Sequence, residues 1–440
     1  MSAWLGIVTD WLAANPHWLG LAIFLLACTE CLAIIGLIVP GTVLLFAVAA
    51  LAGSGALDLG TTLLLAFCGG LLGDLLSYAM GRYFHQDIRR LPGLRHNPQW
   101  LAGAEGYFLR YGVVSLLLGR YIGPLRPMLP MVAGMLSMPF GRFFAISVLA
   151  GTGWALAYML PGWATGAALR LPLPEGFWPQ AGLLAGGVAL LLIVSIHSSL
   201  REQRHATLFA AGLSLALLIG LFIGWPRLQP LDQGLLALLQ EQRSNGLDKL
   251  VVLTTRVGDL RTQLAAGVLL SLLLLAIRQW RAALFAVSTL LGTALANTAL
   301  KATFARTRPD VLLEPLNSFS FPSGHSSAAF AFFLVLGVLA GRGQPARMRL
   351  TWLLLASLPA GAIALSRVYL GVHWPSDVIA GALLAGAICA ASLAWVQRRD
   401  GMPALPAKVW WLLLPACLGL LGSVATWHLS EALLMYRIRP

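Results

Sequence analysis

Three short stretches in the second half of the chain bring cationic, imidazole and carboxylate side chains together at fixed spacings. "KATFARTRP" (301–309) carries Lys301 and Arg308, "PSGH" (322–325) carries Ser323, Gly324 and His325, and "SRVYLGVHWPSD" (366–377) carries Arg367, His373 and Asp377. Lys301, Arg308 and Arg367 are cations, and the two guanidinium forks match phosphate oxygens. A Ser-Gly turn at a helix start aims backbone N–H groups at an anion, and the helix dipole adds to the pull. Pro375 suits the first turn of a helix. Asp377, four residues after His373, can then reach back to it. A carboxylate bonded to one imidazole nitrogen fixes the tautomer and leaves the other nitrogen nucleophilic. His325 is then free to protonate a leaving oxygen. The chemistry indicated is that of a phosphate site with a nucleophilic imidazole.

The elements that hold these residues must be membrane helices. The chain is 58% hydrophobic and only 11% charged, with a mean hydropathy of +0.79. A soluble domain carries about a quarter charged residues, so the fold expected is an all-α polytopic membrane protein. A formal net charge of +13 would fit nucleic-acid binding in a soluble protein. Here most basic residues flank apolar runs, where they set topology and meet anionic lipid, and no nucleic-acid partner is expected. Cys28, Cys31, Cys68, Cys389 and Cys417 all lie in apolar runs and read as small hydrophobes. Cys28 and Cys31 are spaced like a redox or metal motif, but no second pair has zinc spacing, so no metal or other cofactor is expected. No Lys or Arg precedes Arg82, so the start lacks the basic end of a cleaved signal peptide.

The polar stretch "HSSLREQRHA" (197–206) divides the chain. The expected organisation is a first membrane domain over 1–197, a linker over 198–206, a second membrane domain over 207–400, and an added helix and tail over 401–440. Spans are expected near 207–225, 263–277, 282–302, 325–341, 351–366, 376–396 and 409–427, each close to the roughly 20 residues a crossing needs. A polar, amphipathic stretch (226–262) should lie outside the membrane core. "RQWR" (278–281), "GRGQPARMR" (341–349) and "QRRDGMPALPAK" (397–408) alternate so as to share one side with Arg201 and Arg204. The positive-inside rule makes that side cytoplasmic and puts loops 303–324 and 367–375 outside. Lys301, Arg306 and Arg308 break the charge pattern on the outer side, as residues kept for chemistry do. The basic tail "YRIRP" also falls outside, against the rule.

The second-half pattern is Lys301, six residues, Arg308-Pro309; then Pro322-Ser323-Gly324-His325; then Ser366-Arg367, five residues, His373, three residues, Asp377. It resembles the type-2 phosphatidic acid phosphatase family over about residues 206–396, with no departure in any motif. The resemblance implies a metal-independent lipid phosphatase on a helical bundle. In it His373 is the nucleophile that forms a phosphohistidine, Asp377 orients it, and His325 is the acid. Lys301, Arg308, Ser323, Gly324 and Arg367 hold the phosphoryl group. Vanadate-dependent haloperoxidases share the motif but are mostly soluble.

The first half is less regular. "TECLAIIGLIVPGTVLL" (29–45) buries Glu30 and then breaks at Pro40-Gly41. "GRYIGPLRPMLPMVAG" (119–134) carries Arg120 and Arg126 among Pro124, Pro127 and Pro130, too many prolines for one clean helix. Both read as re-entrant hairpins, and Arg89, Arg90 and Arg95 place the loop between them inside, so that the hairpins enter from opposite faces. Residues 25–166 resemble the DedA family on these stretches, on "FCGGLLGDLLSYAMGRY" (67–83) with Asp74, and on "GTGWALAYMLPGWATG" (151–166). The resemblance implies lipid movement across the bilayer, with Glu30, Asp74, Arg120 and Arg126 as functional positions and proton coupling through the acids. One departure is Thr42, where the family often has an acid. Buried ion pairs that only fix packing would account for the same four residues.

Together these readings describe a bacterial inner-membrane, multi-pass protein. Its second half hydrolyses a lipid phosphate or diphosphate, of the undecaprenyl diphosphate or phosphatidic acid type, at the periplasmic face. Its first half moves a related lipid. The alternative is a lipid transporter whose phosphatase-like half only binds head groups. The partners expected are the lipid phosphate substrate and membrane lipids.

Overall fold

In the computed structural model, residues 11–437 are described apart from 13, 34, 39–40, 85–97, 121–125, 202–204, 315, 317, 399–400 and 428. Pro40, Pro124, Arg204 and the basic cluster Arg89, Arg90 and Arg95 lie outside the described residues. The elements are helices throughout the described residues, as the composition requires. Nine of them are long and apolar enough to cross a membrane, or ten if the bent pair Gly246–Val257 and Leu260–Ala276 forms one span.

The chain folds as two compact units, Met1–Pro172 and Leu173–Pro440. The division falls before the polar stretch expected to mark it. Helix Phe177–Leu200 belongs to the second unit, where it packs on helix Ala206–Gly224. Every membrane crossing needs a polar turn, so the run at 197–206 marks a turn between packed neighbours; contacts, not polarity, set the unit.

The first unit contains α1 (Leu19–Cys31), the single turn α2 (Ile35–Ile38), α3 (Gly41–Leu51), α4 (Leu59–Phe84), α5 (Pro98–Tyr111), α6 (Val113–Gly119), α7 (Met128–Met135) and α8 (Phe140–Arg170). Only α4 and α8 are long enough to span. At 1.5 Å per residue, α1, α3, α6 and α7 reach about 20 Å or less, short of the roughly 30 Å hydrocarbon core. Leu32 and Ala33 follow α1 outside any helix, and Arg120 and Arg126, both buried, lie between α6 and α7. The helices α1 and α7 pack on α4, and α3 packs on α8.

The second unit contains α9 (Phe177–Leu200), α10 (Ala206–Gly224), α11 (Gln229–Gln240), α12 (Asn245–Val257), α13 (Leu260–Ala276), α14 (Trp280–Phe304), α15 (Gly324–Gly341), α16 (Ala346–Tyr369), α17 (Pro375–Val396), α18 (Ala407–Thr426) and α19 (Leu429–Met435). At its centre α15 packs against α14, α16 and α17, and α17 packs against α10. Buried Leu270, Phe285, Phe332, Leu336 and Ile363 fill the space between them. Because α14 to α17 alternate in direction, the loop 305–323 and the turn 370–374 fall at one end of the bundle. The basic loops gather at the other, where Arg281 donates to Val396 O and Gly401 O, and Arg342 to Met402 O.

Candidate active site

His373 sits in a turn that the sequence builds residue by residue. Gly371 takes the left-handed backbone (φ 70°) that ends α16. The N–H groups of Val372 and His373 then return to Arg367 O at 3.1 and 3.3 Å. Pro375 opens α17, and Asp377 in its first turn accepts from Trp374 N–H at 2.9 Å. The same carboxylate oxygen accepts the Ser320 hydroxyl and lies 3.4 Å from His373 Nδ1. On the far side of the ring, Arg308 Nη1 lies 3.1 Å from His373 Nε2. Arginine only donates, so Nε2 accepts and the ring proton sits on Nδ1, facing Asp377. Burial, and after it Arg308, Arg367 and Lys301, hold the imidazole well below its ordinary pKa of 6.5. It is therefore neutral at neutral pH, with its one lone pair on Nε2, on the side of Arg308.

Asp377 is itself held by a buried network. Its Oδ1 accepts from Arg306 Nη1 at 2.6 Å, and the same nitrogen reaches Ser376 Oγ at 2.8 Å. Arg306 Nη2 donates to Asp232 Oδ2 at 2.7 Å, and Asp232 also accepts from Ser376 N–H at 2.8 Å and Ser376 Oγ at 2.6 Å. Trp225 and Trp374 lie against the guanidinium at 4.6 and 5.4 Å. Arg306 was marked in the sequence by its place on the uncharged side. Asp232, Ser320 and Ser376 carried no signal. Asp232 lies on α11, 145 residues before Asp377, in a stretch polar enough to read as surface.

A cavity of about 240 Å³ opens beside His373. Lys301, Arg308, Gly324, His325 and His373 line its polar end, and Leu260, Leu264, Leu290, Ala328 and Ala331 its apolar side. Lys301 Nζ donates to Phe319 O at 2.7 Å, and Arg308 grips the loop through Ser318 O and Ser318 Oγ, both at 2.8 Å. Burial, then the nearby Arg367, pulls the Arg308 guanidinium down to about 10. His325 Nε2 lies 2.9 Å from Asp259 Oδ1. Ser323 caps α15 by accepting from Ser326 N–H, and its own N–H donates to Asp377 O at 2.9 Å. Arg367 is buried and does not line this cavity. Its Nη1 donates to Thr255 Oγ1 at 2.8 Å and Tyr436 Oη at 3.0 Å, and its Nε has no partner among the described residues. The tail therefore packs back onto this unit, with Tyr436 against Arg367.

The predicted residues of the first unit also converge. Arg120 pairs with Asp74, and Arg126 Nη1 pairs with Glu30 Oε1 at 2.5 Å. Both guanidinium groups lie over Trp154, at 5.1 and 4.6 Å, and Cys31 Sγ sits 3.7 and 3.8 Å from one nitrogen of each. At the Pro-Gly position a Cβ on Gly41 would come within 2.6 Å of Glu30 Cγ, so only glycine lets the chain pass. Thr42, in place of an acid, donates its hydroxyl to Glu30 Oε1 at 3.2 Å.

Residues 281–400 match the PAP2 superfamily and residues 39–164 match the VTT domain. The first half is 36% identical to the inner membrane protein YabI of Escherichia coli, over 40% of this chain and 66% of that one. It is 26% identical to Protein DedA of the same organism, over 43% of this chain and 85% of that one. A solved structure, the transmembrane PAP2-type phosphatidylglycerolphosphate phosphatase of Bacillus subtilis, is similar at 24% identity over 42% of this chain and 97% of that one, with a TM-score of 0.39. The chain is thus a multi-pass membrane protein that joins a VTT domain to a domain of the PAP2 superfamily.

Proposed function

We propose that the second unit is a lipid phosphatase working through a phosphohistidine on His373, at the face away from the cytoplasm. The observation that carries this is the state of His373: Nδ1 turned to Asp377, the Nε2 lone pair on the opposite side beside Arg308, and Lys301, Arg308, Gly324 and His325 around the same cavity. The Nε2 lone pair attacks phosphorus and the bond from phosphorus to the lipid oxygen breaks. His325 gives that oxygen its proton, and the lipid alcohol leaves, or the lipid monophosphate if the substrate is a diphosphate. A water then attacks the phosphohistidine, His325 takes the water's proton, the N–P bond breaks, and inorganic phosphate departs. Lys301, Arg308 and the backbone at Gly324, which line the cavity, hold the phosphoryl oxygens throughout, and Arg367 adds its charge from behind them. The outward face is supported by the basic loops at the opposite end of the bundle.

The first unit, on this reading, is a pair of re-entrant hairpins that carries a related lipid across the bilayer. The ion pairs of Arg126 with Glu30 and Arg120 with Asp74 mark the path. Protonation of an acid releases its arginine to an anionic head group. A polyprenyl diphosphate such as undecaprenyl diphosphate makes sense of the fusion, since the product is a carrier that must return; phosphatidic acid and phosphatidylglycerol phosphate are the next candidates.

The test is phosphate release by purified protein in detergent with EDTA, over a panel of these lipids. His373→Ala abolishes release. Activity that requires a divalent metal, or that survives this change, refutes the mechanism.

A further inference from the structure

Asp259 occupies the N-cap of α13, immediately after the 46° bend between α12 and α13. A carboxylate there ordinarily accepts from a backbone N–H of the first turn. Asp259 makes no such cap, and its Oδ1 lies instead 2.9 Å from His325 Nε2. The preceding residue is Gly258, where a Cβ would collide with Ile363 Cγ2 and come within 3.5 Å of His325 Cδ2. The bend thus brings its backbone closer to Ile363 of α16 than a residue with a side chain allows, with the His325 ring at ordinary contact distance. The cap interaction is given up and a glycine is required, and both place one carboxylate on one imidazole.

We infer that Asp259 is the positioning residue for the acid His325, so that the site holds two His–Asp pairs, one for each role. This rests on the phosphohistidine reading above. Asp259 only accepts, so it fixes the proton on Nε2 and leaves Nδ1 as the nitrogen that serves the reaction. When both nitrogens carry protons, the carboxylate pairs with the charge on the ring. Nδ1–H then passes its proton to the lipid oxygen as the P–O bond breaks. The neutral ring recovers a proton at Nδ1 from the attacking water in the second step. The pairing follows the logic of His373 and Asp377, with the opposite purpose: there the carboxylate keeps a nitrogen free for phosphorus, here it keeps a proton ready for oxygen.

The experiment compares two leaving groups with the full-length protein in detergent. A long-chain alkyl phosphate leaves as a strongly basic alkoxide and needs the acid; p-nitrophenyl phosphate leaves as a stable phenolate and does not. Asp259→Asn is expected to lower kcat on the alkyl phosphate by about 100-fold, the low end of what a positioned acid contributes. The loss on p-nitrophenyl phosphate should be only a fewfold. His325→Ala should show the same asymmetry, and the double change should be no worse than His325→Ala alone. Asp259→Glu, which keeps the carboxylate, should recover part of the loss. If Asp259→Asn elutes as unfolded protein, Asp259→Glu carries the comparison against His325→Ala. Equal losses on both substrates, multiplicative losses in the double variant, or a Glu variant that shows no asymmetry relief, each overturn the inference. A wild-type protein that hydrolyses neither substrate nor any lipid phosphate overturns the phosphatase reading first, and this inference with it.

Discussion

Arg306 offers the sharpest test of how the nucleophile is held. It is buried between two buried carboxylates, 2.6 Å from Asp377 Oδ1 and 2.7 Å from Asp232 Oδ2. Arg306→Met keeps the unbranched apolar stem but removes the guanidinium, and leaves two negative charges facing each other without water. Removing one partner from a buried pair costs about 3–5 kcal/mol, most of it the stranded charge. Asp377 keeps Ser320 and Trp374 N–H as donors, and Asp232 keeps Ser376, so the loss should stay within that range rather than exceed it. The assay is titration with sodium dodecyl sulfate in mixed micelles, followed by tryptophan fluorescence. Adding Asp232→Asn to Arg306→Met removes one stranded charge and should recover at least about 1 kcal/mol, a coupling within the range seen for residues of one network. An Arg306→Met variant within about 1 kcal/mol of wild type, or a double variant weaker than the single, would show that the network does not hold Asp377.

The depressed pKa of His373 predicts two pH effects. After correction for the substrate's own ionisation, the acid limb of kcat/KM should lie well below pH 6.5, and a limb at or above 6.5 would contradict the neutral nucleophile. In the unfolded chain this histidine takes up a proton near 6.5 while the folded chain resists, so its contribution to stability is full above 6.5 and falls as pH drops below it. At Gly381 a Cβ would stand 2.7 Å from Ser323 O, so Gly381→Ala should push the cap of α15 away from α17. The expected cost is about 1–3 kcal/mol of stability, with a rise in KM read from steady-state kinetics. In the first unit, joint replacement of Glu30 and Arg126 by glutamine avoids a lone buried charge. Lipid translocation in reconstituted vesicles should fail while phosphate release in detergent persists; equal loss of both would make the first unit scaffolding.

Several features needed no structure. Low charge and long apolar runs leave a helical membrane protein as the one solution, because backbone groups in lipid must bond within their own segment. The helices α13 to α18 fall within a few residues of the spans read from hydropathy. Catalytic spacing was legible for a local reason: His373 and Asp377 lie four residues apart across the start of α17, so the local backbone brings them together. Glu30, Asp74, Arg120 and Arg126 stood out because a charge in an apolar run is costly without a partner.

Tertiary structure decided everything that depends on distant segments meeting. Which acid takes which arginine in the first unit is a matter of packing among α1, α4 and the 120–127 break, not of spacing. Asp232 and Asp259 lie in polar stretches where an acid carries no signal, and only the folded bundle sets them against Arg306 and His325. The compact units divide after Pro172, ahead of the polar run at 197–206, because contacts between helices and not polarity draw that line. The sequence by itself determined the helices and the residues that could handle a phosphoryl group. Only the fold chose the partners that hold them, since a hydrogen bond between residues far apart in the chain exists only after the helices between them have packed.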